Sequence, residues 1–240
     1  MEQTRQWLRE ASRVAVLTGA GISAESGIPT FRGAGGLWRQ FRAEELATPE
    51  AFRRDARLVW EWYDWRRGLI AAASPNAGHL ALAELERRKP GLALMTQNVD
   101  GLHERAGSRN VLKLHGDIWI LRCTGCLREY RDERTPLPEL PPRCDCGALL
   151  RPGVVWFGEP LPAEVWEAAE EAARTAEVFL VVGTAAVVYP AAGLALRAKA
   201  AGAKVIEVNL EETPFSGTVD CSLRGRAGEV LPQLLSTQAG

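Results

Sequence analysis

The chain carries almost no net charge. Its 29 lysine and arginine residues against 30 aspartates and glutamates leave −1 at pH 7, so no overall field recruits nucleic acid or an anionic membrane, and neither is an expected partner. An apolar leader is missing as well. Residues 1–13 are polar and charged, without the hydrophobic run of a signal peptide, and a cytoplasmic location is expected. One uncharged run, residues 178–196, is long enough to imitate a membrane span, but Gly183, Pro190 and Gly193 divide it into a strand, a loop and the start of a helix. Cysteine is scarce, with five in 240 residues. Without an export signal these point to a reducing compartment and to metal rather than disulfides. There is no internal repeat and no low-complexity tail. The length and the 46% hydrophobic content suit one α/β domain with an insertion, or one large and one small domain.

The chain is organised around residues 14–33. Residues 14–17 form an apolar, β-branched run that reads as a buried parallel strand. Gly19, Gly21 and Ala24 follow in the spacing G-x-G-x-x-G/A, where a strand hands over to a helix or loop. The first glycine permits the turn, and the second lets a pyrophosphate approach the backbone. Free N–H groups there suit an anion. Beyond Gly33 the second strand of a dehydrogenase, with its ribose-binding acid, does not appear. Residues 34–73 read instead as an inserted helical module. Alternating helix and strand then resumes: helix over 77–89, strands at 92–95 and 111–114, helix over 163–175, strand at 178–182, helix over 191–201, strand at 204–208, a short strand near Val219 and a last helix over 228–235. Residues 118–155, with four cysteines and many prolines, read as a second insertion that relies on metal in place of a large core.

Several polar residues sit at the ends of these strands, where open α/β sheets bind ligands. Gln97, Asn98 and Asp100 can hold a carboxamide or ribose hydroxyls, although Asn-Val-Asp-Gly is also good turn sequence. His115 closes the 111–114 strand. By residue type alone it is equally a general base, a hydrogen-bonding core residue or a metal ligand. Cys123-x-x-Cys126 and Cys144-x-Cys146 supply the four thiolates that a structural, tetrahedral zinc requires. Buried free thiols or a redox pair are the alternatives, and the tight Cys-x-Cys pair leaves open which sulfurs ligate. Cys221 stands apart and reads as a buried small apolar residue. Tyr63 and Arg66, at i and i+3, share one helix face; an ordinary amphipathic helix would put such aromatics inward and the arginines outward.

The string G-A-G-I-S-A-E-S-G-I-P-T-F-R-G over residues 19–33 resembles the NAD-binding loop of the sirtuins, the NAD-dependent protein-lysine deacylases. T-Q-N-V-D-G-L-H over 96–103, L-H-G-D over 114–117, R-P-G-V-V-W-F-G-E over 151–159 and G-T-A over 183–185 resemble further motifs of that family, in order, along nearly the whole chain. The resemblance implies a doubly wound, Rossmann-like parallel sheet formed by 1–33, 74–117 and 156–240, with a small domain built from the helical insertion 34–73 and the zinc insertion 118–155. It implies that NAD lies over Gly19, Ala20, Gly21, Ala24 and Arg32, with its nicotinamide end near Ile28, Phe31, Gln97, Asn98 and Asp100. Gly183, Thr184 and Ala185 would contact it from the facing loop, and Asn209, Leu210, Glu211 and Ala227 would hold the adenosine end. Ala185 stands where the family usually has Ser, so one hydroxyl contact is expected to be missing. An acyl-lysine peptide would pair by strand addition with the segment bearing Val154, Trp156, Phe157 and Gly158, facing Val188.

The implied chemistry is attack of the acyl oxygen on the nicotinamide ribose, release of nicotinamide, and activation of a ribose hydroxyl by His115 to give O-acyl-ADP-ribose and free lysine. Tyr63-x-x-Arg66 resembles the pattern of the sirtuins that remove succinyl or malonyl groups, because a guanidinium can pair two-pronged with a terminal carboxylate. Deacetylation and desuccinylation or demalonylation are therefore both expected. Mono-ADP-ribosyl transfer from the same cleft is the alternative.

Overall fold

The computed structural model describes residues 1–30, 37–38 and 41–236. Its frame is a six-stranded parallel sheet. The first strand, β1 (Val14–Thr18), is buried at every position and pairs on one side with β4 (Ala93–Thr96), which pairs in turn with β5 (Val111–Lys113). On its other side β1 pairs with β9 (Val178–Val182), followed by β10 (Lys204–Asn209) and β11 (Cys221–Arg224). The chain thus winds away from β1 in both directions. The switch between β1 and β9 opens a crevice at the carboxyl ends of the strands.

Both faces of this sheet are covered, which is why its central strands are continuous apolar runs rather than alternating ones. Val14, Val16, Leu94, Val178 and Leu180 pack on one face against Leu8 of α1 (Glu2–Glu10), Leu82 of α5 (Ala77–Arg88) and Leu231 of α9 (Ala227–Leu235). Ala15, Leu17, Met95, Phe179 and Val181 pack on the other against the small residues of α7 (Ala163–Thr175) and α8 (Gly193–Ala200). Alanines at 169, 173, 195 and 198 let these two helices approach the sheet closely. Among the described residues no helix is long and apolar enough to cross a membrane.

A third core joins the two insertions. Within residues 34–73 lies a short antiparallel pair, β2 (Leu37–Trp38) and β3 (Phe41–Arg42), which a purely helical reading of 34–73 does not anticipate. Three helices follow: α2 (Ala43–Leu46), α3 (Pro49–Arg54) and α4 (Ala56–Ala72). The cysteine-bearing segment folds as a three-stranded antiparallel sheet of β6 (Gly116–Cys123), β7 (Glu129–Arg131) and β8 (Leu150–Val154). Trp60, Trp62 and Ile70 of α4 pack against Ile118, Leu121 and Leu150 of that sheet, so the two insertions share one interior as a small domain.

Arg67 fastens them. It is fully buried, and its guanidinium donates to the carbonyls of Ile118, Asp132 and Arg134 at 2.6–2.9 Å while stacking over Trp119. Arg66 is buried too. Arg57, in the first turn of α4, points outward as in an ordinary amphipathic helix, but Arg66 and Arg67 do not, because that end of the helix is enclosed by the neighbouring sheet and by the crevice.

Two smaller expectations also shift. The short strand near Val219 lies at β11, since Asp220 turns inward to accept the Val205 amide at 2.9 Å and the pairing with β10 starts at Cys221. Cys221 is half-buried on that strand rather than buried. Residues 102–105 form a one-turn helix, α6 (Leu102–Arg105), where only a turn is legible.

Candidate active site

The crevice is a cleft of about 1200 Å³ running from the β1–β9 switch to the small domain. Its floor is the turn after β1, a 3-10 helix over Ala20–Ser26, crossed at contact distance by the loop after β9. The Gly19 amide donates to the Val182 carbonyl at 3.0 Å, and the Gly21 amide to the Gly183 carbonyl at 2.7 Å. A Cβ on Gly21 would lie 2.7 Å from the Gly183 carbonyl oxygen, and one on Gly19 would lie 2.7 Å from Thr184 Cβ. Gly183 has φ +59°, and a Cβ there would meet the Ile22 amide at 2.4 Å. The glycine pattern therefore answers first to this crossing of two loops, which admits no side chain, and only then to whatever lies above it.

Gly19, Ala20, Gly21 and Ala24 line the cleft together with Gly183, Thr184, Ala185 and Val188 of the facing loop. Gln97 bridges the two sides, its amide donating to Thr184 Oγ1 at 3.0 Å. Asn209, Leu210, Glu211 and Ala227 line the far end. Asn209 donates to the Thr184 carbonyl at 3.3 Å, and Ala227 is the first residue of α9. Ile28 is buried in the small-domain core rather than on the cleft surface. Phe31 and Arg32 lie outside the described residues.

Beneath the floor lies a buried polar network. Asn98 donates to the Gly19 carbonyl at 3.1 Å and to Ser23 Oγ at 3.2 Å. Ser23 in turn donates to Asp100 Oδ2 at 2.8 Å. Asp100 therefore sits behind the wall, not on it; burial raises its pKa, while the Leu102 amide and Ser23 hydroxyl oppose the rise.

His79 caps α5, where Nδ1 accepts the Asn76 amide and Nε2 is left to face Ser23 Oγ at 3.4 Å. The His103 ring packs edge-on against it, 4.9 Å away, and reaches Thr18 Oγ1 at 2.9 Å. Burial pushes the pKa of His79 down to about 4 and that of His103 to about 3, so both rings are neutral at pH 7. Ser23 and His79 escaped the reading of the sequence. Ser23 lies inside the glycine string itself, which was a usable signal; His79 has only its helix-cap position.

His115 stands on the cleft wall just past β5. Its Nδ1–H donates to the Gln97 carbonyl at 3.0 Å, which fixes the tautomer and leaves the Nε2 lone pair to accept a proton. Burial lowers its pKa and this hydrogen bond partly restores it. Its own carbonyl accepts the Val155 amide at 2.9 Å, so the imidazole and the 154–158 segment are held in register. Gly116, next in sequence, has φ +81°, and a Cβ would lie 2.3 Å from the Gly153 carbonyl.

Val154, Trp156, Phe157 and Gly158 all line the cleft. Arg151 shapes this segment. It pairs two-pronged with Glu159 at 2.6 and 2.8 Å and lies 3.5 Å over the Trp156 ring. Neither Arg151 nor Glu159 stands out as such a clamp in the sequence. Phe157 is left 47% exposed at the mouth.

Tyr63 and Arg66 reach the same cleft from α4. Tyr63 is 3% exposed; its hydroxyl accepts from Trp156 Nε1 at 2.9 Å, and burial raises its pKa. Arg66 is 7% exposed and lies 5.6 Å over the Trp62 ring; burial lowers its pKa, with Tyr63 and Asp100 opposing.

Away from the cleft, the four sulfurs of Cys123, Cys126, Cys144 and Cys146 lie within 4.8 Å of one another. The closest pairs are 3.4 and 3.7 Å apart, near the separation of about 3.8 Å that tetrahedral ligation at about 2.3 Å imposes. Amides of Cys126 and Gly125 point at Cys123 Sγ, both at 3.3 Å, and favour the thiolate. Cys-x-x-Cys and Cys-x-Cys thus converge on one position fit for zinc, and His115 belongs to the other site.

The model of the Sir2 family matches residues 19–190. An NAD-dependent protein deacylase of Aquifex aeolicus is 58% identical over 94% of this chain and 95% of its own length. A Sir2 homologue solved with NAD is 52% identical and superposes with a TM-score of 0.94, over 98% of this chain and 92% of its own. A Sir2 protein solved with a p53 peptide and NAD+ is 33% identical, with a TM-score of 0.89 over 98% and 97% of the two chains.

Two outcomes are expected from these sites. The purified protein should carry about one zinc per chain. Cys126→Ser should release it and lower the melting temperature by several degrees, whereas Cys221→Ser should change neither; metal analysis beside calorimetry checks this, and a metal-free wild type of full stability would contradict it. The histidine pair predicts acid sensitivity. Between the free value of 6.5 and the folded values of about 4 and about 3 the unfolded chain binds protons that the folded chain does not. Stability is thus fully present above 6.5 and lost as pH falls through that window, by up to about 1.4 kcal/mol per pH unit for each ring. Urea titrations at several pH values should show a shallower dependence in His103→Asn than in wild type, and equal slopes would sink the assignment.

Proposed function

This chain belongs to the Sir2 family of NAD-dependent protein deacylases, and we propose that its cleft favours acyl-lysines whose acyl group ends in a carboxylate. The observation that carries this reading is that Tyr63 and Arg66, both nearly enclosed, line the same cleft as His115. A carboxylate entering beside the Arg66 guanidinium gains a two-pronged, charge-assisted contact. The Tyr63 hydroxyl accepts from Trp156, so its own proton is available to donate. A methyl group in the same place gains nothing from either.

The co-substrate supplies a ribose carbon made electrophilic by a departing nicotinamide. We assign the protein's part as follows. Gly19, Ala20, Gly21 and Ala24, with Gly183, Thr184 and Ala185, receive the pyrophosphate; by motif alone Arg32 is assigned there and Phe31 to the nicotinamide end. Ala185 carries no hydroxyl, so Gln97 and Thr184 supply the polar contacts on that side. Asn98, held from behind by Ser23 and with Asp100 bonded to Ser23, forms a rigid end for the carboxamide, with Ile28 nearby. Asn209, Leu210, Glu211 and Ala227 receive the adenosine.

His115 takes a proton at Nε2, because Nδ1 is committed to Gln97. Val154, Trp156, Phe157 and Gly158, facing Val188, receive the peptide as an added strand. The peptide-bound relative supports that reading. The same reading divides the chain into an NAD-binding part, 1–33, 74–117 and 156–240, and a small part, 34–73 and 118–155, working in the cytoplasm. Transfer of ADP-ribose to a protein would use the same cleft, and no feature of the wall favours it over deacylation.

His115→Ala should abolish NAD-dependent deacylation while the melting curve and zinc content stay as in wild type, and normal turnover by that variant would remove His115 from the mechanism. For acyl choice, a charge-assisted contact in a partly dry cleft is worth roughly 1.5–3 kcal/mol, or roughly ten- to a hundredfold in kcat/KM. Tyr63→Phe with Arg66→Met should cut desuccinylation by about that factor and leave deacetylation largely intact, measured on succinyl and acetyl peptides of one sequence. If both activities fall together, the pair serves only to pack α4.

A further inference from the structure

The far end of the cleft is formed by two segments that are separate in sequence, residues 210–214 after β10 and residues 225–227, where β11 leads into α9. One side chain ties the first of these to β11, the strand that leads directly into the second. Glu207 lies on β10 with no exposed surface. Its Oε1 accepts from Thr213 Oγ1 at 2.5 Å. Its Oε2 accepts from Ser216 Oγ at 2.6 Å, Ser222 Oγ at 2.7 Å and Arg224 Nη1 at 3.0 Å. Arg224 closes the loop by donating from the same nitrogen to the Glu211 carbonyl at 3.0 Å.

A buried carboxylate is tolerated only when its oxygens are satisfied, and this one accepts four times and donates nothing. Burial alone would raise its pKa, but the hydroxyls of Ser216, Thr213 and Ser222 and the Arg224 guanidinium hold it below the usual carboxylate value. The hub is not required for pairing the strands, since β10 and β11 are joined through their backbones from Ile206 to Asn209. What it fixes is the path of residues 211–216 against Arg224, the residue directly before the second segment.

We propose that Glu207 is a positioning residue for the co-substrate, setting the wall that receives the adenosine end without touching it. The inference rests on the assignment of that end to Asn209, Glu211 and Ala227. Glu207→Gln keeps the shape but turns an N–H₂ donor either toward the Thr213 hydroxyl, which must then accept and redirect its own proton, or toward the Ser216, Ser222 and Arg224 donors, and it removes the charge that Arg224 faces. Ser216→Ala removes one donor at a half-buried position and serves as the milder variant.

The test is calorimetric titration with ADP-ribose beside steady-state kinetics with NAD and an acyl peptide. Glu207→Gln should weaken ADP-ribose and raise KM for NAD by about tenfold, and Ser216→Ala by about threefold. The kcat at saturating NAD and the KM for the peptide should stay at wild-type values in both variants. A purely structural role would lower the melting temperature and the active fraction with the ADP-ribose affinity unmoved, and that result overturns the proposal. If Glu207→Gln does not fold, an unchanged affinity in Ser216→Ala overturns it alone. A wild type that fails to bind ADP-ribose would overturn the placement of NAD and this inference with it. A wild type that binds, with variants that bind equally well, overturns only the role of Glu207.

Discussion

Two backbones cross at contact distance beneath the cleft, and everything above them depends on that crossing. Gly19 and Gly21 on one side and Gly183 on the other meet with no room for a Cβ, and amides of the first loop donate to carbonyls of β9 and the second. The sheet reverses its winding direction between β1 and β9, so both strands deliver their loops to the same edge. The crossing fixes how far apart the cleft walls begin. A single methyl group there would push them apart by an amount that every later contact, from Gln97 to Asn209, would feel.

Below the crossing, rigidity comes from polar groups rather than from apolar packing. Asn98, Ser23, Asp100 and His79 are each buried, and each spends its hydrogen bonds on the others or on backbone. Such a network is stable only when complete, because an unpaired buried donor costs about as much as a lost hydrogen bond or more. Its consequence is a preformed end to the cleft whose donors and acceptors do not need to reorganise when a ligand arrives. Its cost is the pair of neutral histidines, which cannot stay both buried and protonated.

The small domain follows a different logic. Its four thiolates gather the ends of two loops that have little apolar content, and its interior is borrowed from α4. Arg67 ties the two together through three carbonyls of the zinc-bearing segment. Arg66 directly precedes Arg67 and Tyr63 lies one turn back on the same helix, so the residues proposed to read the acyl group are carried by the element that the zinc module braces. Trp156, packed under Arg151 and bonded to Tyr63, links that element to the segment proposed for the peptide.

Local pattern was enough for much of this. The apolar runs at residues 14–17 and 178–182, the helix over 163–175 and the paired cysteines are short-range signals. Strand burial, helical periodicity and thiolate spacing are written within a dozen or so residues, and each appears in the fold where it was expected. The string after β1 also carried the family resemblance, and with it the list of cleft residues. The sequence could not tell that Gly21 is a glycine because of Gly183, some 160 residues away, nor that Arg67 turns inward. It gave no sign that His79 reaches Ser23, that Asp100 stands behind the wall, or that Glu207 gathers Thr213, Ser216, Ser222 and Arg224. Periodicity reports which face of an element is buried, not what lies opposite that face. A contact between groups distant in the chain exists only once the sheet has set its strand order, and for that reason the buried polar chemistry was decided by tertiary structure alone.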